Sequence, residues 1–294
     1  MKRNEKTKRL VESSLMIALG TVLSILPIVE MPYGGSVTVA SMLPCLLIAY
    51  RHGLGWGLGT GAVYAVLQQL LGLKNLSYFT TWQSIVAIIL LDYLIAFVVI
   101  GLGGIFRKPI KQQNLSLASG ALLVCVLRYI CHVISGATVW AGLSIPTEAA
   151  LAYSFGYNAT YMIPETIVLV LVAYYLGTVM DFRRETPVRM AMPESGNKEA
   201  GVLGAIAMLI GVVASVVDVS LIFAHLQNPE TGSFDITMLT AEPFVESFWL
   251  TVVVITAVAI AGIAVLLLRR RAVLKGDAEK TKMKPPPSGS SFLF

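Results

Sequence analysis

The sequence predicts an all-α integral membrane protein of eight helical spans, with both termini in the cytoplasm. Three observations carry this reading. Hydrophobic residues make up 56% of the 294 residues and charged residues only 13%, whereas a soluble domain carries about 25% charged residues. Six apolar runs reach the length of about 20 residues that a membrane helix needs. Lysine and arginine then gather on one side of the resulting topology. A soluble enzyme, a disordered chain and a nucleic-acid-binding protein are excluded as classes, although the formal charge is +5. Mean hydropathy is +0.75.

The elements follow in order. Residues 1–9 hold Lys2, Arg3, Lys6, Lys8 and Arg9, and an apolar run occupies 10–29. A basic start before an apolar run also opens secretory signals. This run is too long and lacks an A-x-A cleavage site, so it reads as an uncleaved first span. The stretches 37–50 and 54–72 come next. As a helix the first covers about 21 Å, short of a hydrocarbon core of about 30 Å. It reads as a tilted span in thinned surroundings or as a partly re-entrant segment. The second is rich in glycine, which lets helices approach closely in lipid. Runs at 83–105, 115–137 and 157–180 complete a six-span unit over residues 1–180.

Residues 181–200 are polar, contain Pro187 and Pro193, and read as a cytoplasmic linker. Runs at 201–224 and 247–268 give two additional spans within 201–271. The outer loop between them, 225–246, carries Glu230, Asp235, Glu242 and Glu246 and no Lys or Arg. Residues 272–294, with Pro285, Pro286 and Pro287, are expected to be a disordered cytoplasmic tail. With the N-terminus inside, all but two of the 22 Lys and Arg fall on inner segments. The exceptions are Lys74, in an outer loop, and Arg128, within a span.

Ionisable side chains inside a membrane are costly and face a cavity or a partner. The first six spans hold Asp92, Arg128, His132 and Glu165. At 1.5 Å per residue, Asp92 lies roughly 15 Å from the outer end of its span and Glu165 roughly 12 Å. All four occupy the middle or outer half, as a site open to the outside would require. Arg128 and His132 are four residues apart and share a helix face, which Ser135 and Gly136 continue towards Trp140. Tyr157, Tyr161 and Glu165 form another face, preceded by Tyr153 and joined by Asn158. Tyr93 stands beside Asp92. Arg128 could equally neutralise Asp92 or Glu165 as a structural pair, and Trp140 and Tyr153 could be interfacial belt residues. Acids, an imidazole, an amide and aromatic rings at one depth suit a small aromatic cation, held by charge, cation–π contact and hydrogen bonds.

Other chemistries lack their motifs. The chain has no G-x-x-x-x-G-K-[ST] loop for ATP, no H-E-x-x-H zinc motif and no G-x-S-x-G elbow. Cys45, Cys125 and Cys131 lie in apolar runs without metal spacing and read as packing residues. The chain is therefore not expected to be an enzyme, and no cofactor or metal is expected.

Several segments resemble the thiamine-specific substrate-capture subunits (S components) of energy-coupling factor transporters. They are LVESSLMIALGTVLSILP at 10–27, GGSVTVASMLP at 34–44, YRHGLGWGLGTG at 50–61 and LDYLIAFVVIGLGGIF at 91–106. The most specific are RYICHVISGATVW at 128–140 and YSFGYNATYMIPE at 153–165. The resemblance covers about residues 8–180 and implies a six-helix S-component core; the two additional spans, within 201–271, depart from the family and are not explained by it. It implies high-affinity capture of thiamine from outside, in a bacterial plasma membrane. It also implies docking on a transmembrane coupling subunit with two ATP-binding subunits, which would supply the missing ATPase. His132, Trp140, Tyr153 and Asn158 match positions lining the family's thiamine pocket, and Tyr93 matches a pocket tyrosine. Asp92 stands where the family usually has glutamate, and Tyr33 roughly where it places a tryptophan over the site. Ser14 and Ala18 fall on the family's small-x-x-x-small surface for the coupling subunit. Readings that stay open are an S component for another vitamin or a thiamine precursor, a self-contained ion-coupled transporter, and an intramembrane enzyme.

Overall fold

In a computed structural model, residues 2–31, 34–190, 198–226 and 248–283 are described. Helix α1 (Lys2–Ile25) starts earlier and stops sooner than the apolar run suggests. Pro27 has no N–H to give and biases its predecessor away from the helical region. The chain then forms a small antiparallel hairpin, β1 (Val29–Glu30) against β2 (Ser36–Val37), with Val29 opposite Val37. Gly34 and Gly35 turn it at φ +95° and +93°. At Gly35 a β-carbon would also fall 2.7 Å from the Tyr161 ring.

The stretch 37–50 is not one helix. After β2 the chain is irregular to Met42, and α2 (Leu43–His52) has only ten residues. It covers about 15 Å and cannot cross a bilayer alone. It is buried in protein instead: every side chain from Leu43 to Tyr50 is buried. Gly53, at φ +88°, separates it from α3 (Leu54–Leu71).

Helix α4 (Trp82–Arg107) changes geometry along its length. It is α-helical to Ile88, a π-helix over Ile89–Ile95, and a 3₁₀ helix over Val99–Arg107. Helices α5 (Gln113–Thr138) and α6 (Glu148–Val179) follow. Helix α6 begins well before residue 157, because the Thr147 hydroxyl caps it by accepting from Ala150 N–H at 3.1 Å. One core gathers α2, α5, α6 and the inner part of α4, with Leu46, Tyr50, Ile100, Leu117, Val124 and Leu169 buried together. Its density depends on glycine. A β-carbon on Gly120 would lie 2.0 Å from the Gly103 carbonyl oxygen, so α5 and α4 touch backbone to backbone.

The start of the expected linker is structured. Strands β3 (Met180–Asp181) and β4 (Val188–Arg189) pair. Arg51 donates to the carbonyls of Phe182, Arg184 and Glu185 and to the Glu12 carboxylate. The amide of Gln113 donates to the Gly177 and Met180 carbonyls and accepts from Phe182 N–H. Helices α7 (Lys198–Leu226) and α8 (Phe248–Met283) form a hairpin joined by Thr256 Oγ1 donating to Asp218 at 2.7 Å and by the Arg269–Glu199 ion pair. Helix α8 continues through residues 272–283, where a disordered tail was expected. The acidic outer loop, apart from its first residues, and the end of the tail lie outside the described residues. Five described helices, α4 to α8, are long and apolar enough to cross a membrane. The chain is a multi-pass membrane protein.

Gly120→Ala is expected to destabilise the fold by about 1–3 kcal/mol, lowering the thermal unfolding midpoint in detergent. Gly262→Ala, where the added methyl meets nothing within 4 Å, serves as the control and should leave the midpoint in place.

Candidate functional site

A cavity of about 610 Å³ opens between the hairpin, α3, α4, α5 and α6. Most of the side chains singled out in the sequence line it: Asp92, Tyr93, His132, Trp140, Tyr153 and Asn158, with Arg128 and Glu165. Tyr33 lies outside the described residues.

Asp92 is the hub. The π-turn of α4 carries it, and such turns recur at functional sites. His132 Nδ1 lies 2.9 Å from its Oδ1; Ser135 Oγ and Trp140 Nε1 donate to its Oδ2 at 2.9 and 3.1 Å. A carboxylate only accepts, so His132 Nδ1 presents a proton to it. Three donors thus fix Asp92, and among the described residues no Lys or Arg pairs with it. Its side chain retains 15% exposure and that of His132 11%.

Aromatic rings line the cavity or back the rings that do. The indole of Trp140 meets the Phe79 ring edge-on, centroids 4.8 Å apart, and the Tyr78 ring at 5.7 Å. Tyr153 stacks on Tyr157 at 6.1 Å with the planes 12° apart. Tyr157 donates to the Gly34 carbonyl at 3.0 Å and so holds the hairpin over the site. Tyr93 is tethered: its hydroxyl accepts from Asn75 at 2.9 Å and donates to the Gly72 carbonyl at 3.3 Å. At the mouth, Lys74 pairs with Glu30 at 2.6 Å, and the neighbouring carboxylate holds the lysine ammonium above its ordinary pKa.

Asn158 is engaged by the scaffold. Its amide donates to the carbonyls of Ser154 and His132, at 2.8 and 3.3 Å, and its oxygen accepts from Tyr161 at 2.6 Å. One lone pair of that oxygen remains. At the floor, buried Glu165 accepts from Thr38 N–H at 2.6 Å and from the Thr38 hydroxyl at 2.7 Å. Arg128 forms no ion pair with Asp92 or Glu165. Among the described residues no carboxylate oxygen comes within 4 Å of it; it donates to Met42 Sδ at 2.7 Å and lies over the Phe97 ring at 4.3 Å. Thr38, Tyr78 and Phe79 were missed from the sequence because they lie outside the long helices and follow no helical period. Ser14 and Ala18 are remote from the cavity, on the exposed face of α1 with Leu15 and Leu19.

The arrangement offers an anionic, preorganised acceptor inside an aromatic box, which fits a planar organic cation. The family model described as thiamine transporter protein (Thia_YuaJ) matches residues 10–182. Thiamine transporter ThiT of Bacillus subtilis (strain 168) is 35% identical over 183 residues, which are 58% of this chain and 91% of that protein. A solved structure of ThiT from Listeria monocytogenes aligns with a TM-score of 0.48 at 20% identity, covering 59% of this chain and 94% of that one. Helices α7 and α8 lie beyond the family match.

Replacing Asp92 with alanine strands three donors at once. Asp92→Ala should lower stability by about 1–3 kcal/mol even without added ligand, and should shift the Trp140 component of the emission spectrum. Ser135→Ala, which removes a single donor, should cost roughly 1 kcal/mol. Thermal unfolding followed by tryptophan fluorescence reads both.

Proposed function

The chain belongs to the thiamine transporter protein family, and from that premise we propose that it captures thiamine from outside the cell as the S component of an energy-coupling factor transporter in a bacterial plasma membrane. The observation that carries this reading is the Asp92 carboxylate, fixed by three donors and facing a cavity lined with aromatic rings. Thiamine carries a permanent positive charge on its thiazolium ring and a neutral aminopyrimidine. Asp92 balances that charge across the partly dry pocket, where Coulomb attraction is stronger than in water. Trp140 and Tyr153 present ring faces to the two heterocycles. His132 Nε2 and the spare lone pair of Asn158 Oδ1 accept from the pyrimidine amino group. Tyr93 keeps the α3 end of the cavity in place.

No step of covalent chemistry is asked of the chain; thiamine is bound and released unchanged. Energy comes from a transmembrane coupling subunit and two ATP-binding subunits. Docking uses α1, where Ser14 and Ala18 are exposed on a lipid-facing stripe. Small residues there allow a partner helix to approach closely. The N-terminus lies on the cytoplasmic side, in accord with the basic residues that flank the spans.

Thiamine titration of the purified protein, followed by tryptophan quenching, should saturate at submicromolar ligand. Asp92→Asn should weaken binding about 100-fold, equivalent to about 2.7 kcal/mol, and Trp140→Phe should remove most of the signal. Unchanged affinity in Asp92→Asn would sink the assignment of the cation site. For the partner surface, Ser14→Trp with Ala18→Trp should abolish uptake by the assembled transporter in liposomes while thiamine binding in detergent persists. Uptake at the normal rate by that double variant would place the coupling surface elsewhere.

A further inference from the structure

A second cavity, of about 940 Å³, is walled by a different face of α6 together with α7 and α8. On α6 it takes Leu151, Phe155, Ala159 and Ile163, none of which lines the first cavity. Leu151, Phe155 and Ile163 are exposed, so the space opens sideways to the membrane. Helices α7 and α8, which close it, lie beyond the family match. The lining is apolar except for three hydroxyls and two carboxylates, those of Glu148 and Asp218. Among the described residues no Lys, Arg or His lines it.

The hydroxyls are already committed as donors. Thr160 donates to the Tyr157 carbonyl, Ser215 to the Gly211 carbonyl and Thr256 to Asp218 Oδ2, each at 2.7 Å. Asp218 Oδ1 is buried and has no hydrogen-bond partner among the described residues. Buried polar atoms are nearly always bonded, and an exception calls for an explanation. A carboxylate inside a membrane is a costlier exception. Asp218 is not at the rim: it lies about 12 Å along the axis from Leu226, the end of α7. A second acceptor adjoins it in the lining. Pro164 has no N–H, so the Thr160 carbonyl lacks its usual helical donor, and both residues border the cavity. The cavity therefore offers acceptors and negative charge within an apolar envelope. A fatty acid would be repelled. An alcohol would donate one bond and leave the carboxylate charge unbalanced. A protonated amine donates up to three bonds and balances it. The ammonium of a phospholipid would have to draw its phosphate past Glu148, the exposed first residue of α6, towards Asp218.

We infer that this cavity is a second ligand site, for a lipophilic primary amine whose ammonium donates to Asp218 Oδ1 while its hydrocarbon body lies along α6. The test uses the full-length protein in phosphatidylcholine nanodiscs, with uptake by empty nanodiscs subtracted. Three radiolabelled probes share one chain length: dodecylamine, protonated at neutral pH as lysine is, dodecanol and dodecanoate. Wild type should bind dodecylamine saturably and at least tenfold tighter than either of the others. Asp218→Asn, equal in size and uncharged, should weaken dodecylamine at least tenfold and leave dodecanol within twofold. Ala159→Phe fills the cavity from α6 without altering the carboxylate. It should remove the saturable component, and it guards against a folding defect in the asparagine variant. Amine binding at wild-type affinity in both variants would overturn the proposal, as would uptake no greater than that of empty nanodiscs. Equal affinity of wild type for dodecylamine and dodecanol would overturn the role of Asp218. Displacement of dodecylamine by phosphatidylethanolamine as readily as by unlabelled dodecylamine would give the cavity to a membrane lipid and overturn the assignment of a free amine.

Discussion

The hydrogen bonds between Glu165 and Thr38 are the constraint on which the cavity depends. Between β2 and α2 the chain runs without helical hydrogen bonds through the inside of a helical bundle. Backbone polar groups there need partners, because neither lipid nor packed side chains can supply them. Glu165 takes the Thr38 N–H and hydroxyl, and the Thr38 hydroxyl in turn bonds Ser41 Oγ at 2.8 Å and accepts from Ser41 N–H at 3.1 Å. With those groups satisfied, this wall is a strand and a turn rather than a full helix. The space that a continuous helix would fill is part of the cavity. The hairpin above is held in the same manner, by Tyr157 on Gly34 and by the fit of Gly35 against Tyr161.

Charge is arranged in two tiers. Near the opening, Asp92 is held by an imidazole, a hydroxyl and an indole, and among the described residues no Lys or Arg pairs with it. Deeper, Arg128 and Glu165 stand apart with their hydrogen-bonding capacity incompletely used. Preorganised groups of this kind cost stability in the empty protein and return it when a complementary ligand arrives. The glycine contacts between α4 and α5 supply the rigidity that keeps both tiers in register.

Much of this was legible in the residues. The long apolar runs locate α4 to α8, and the intramembrane Asp92, His132 and Glu165 mark the cavity. The spacing of Arg128 and His132 put both on one face, and both line it. What was not legible has physical causes. The mostly apolar residues 37–50 look alike whether they form one short helix or a strand followed by a buried ten-residue helix, and the hydrogen bonds from Thr38 to the distant Glu165 favour the second. Charge counting suggested an ion pair for Arg128, because side-chain direction at a helical position is set by neighbours such as Met42 and Phe97 that sequence distance does not reveal. Tyr78 and Phe79 sit in a connecting segment, where no periodicity announces that they back the Trp140 indole.

The π-turn at Ile89–Ile95 gives the site an unusual kind of fragility. Such a turn is an α-helix carrying one surplus residue, and Asp92 lies within the bulge that the surplus creates. Losing any single residue of the segment other than Asp92 would let the helix close up and would rotate everything on one side of the deletion by about 100° relative to the other. The carboxylate would then leave the arc occupied by His132, Ser135 and Trp140, although no residue of that quartet had been altered. For this stretch of chain, length is as much a part of the inherited instruction as composition, and a shift in length is the change that conservative substitution elsewhere cannot repair.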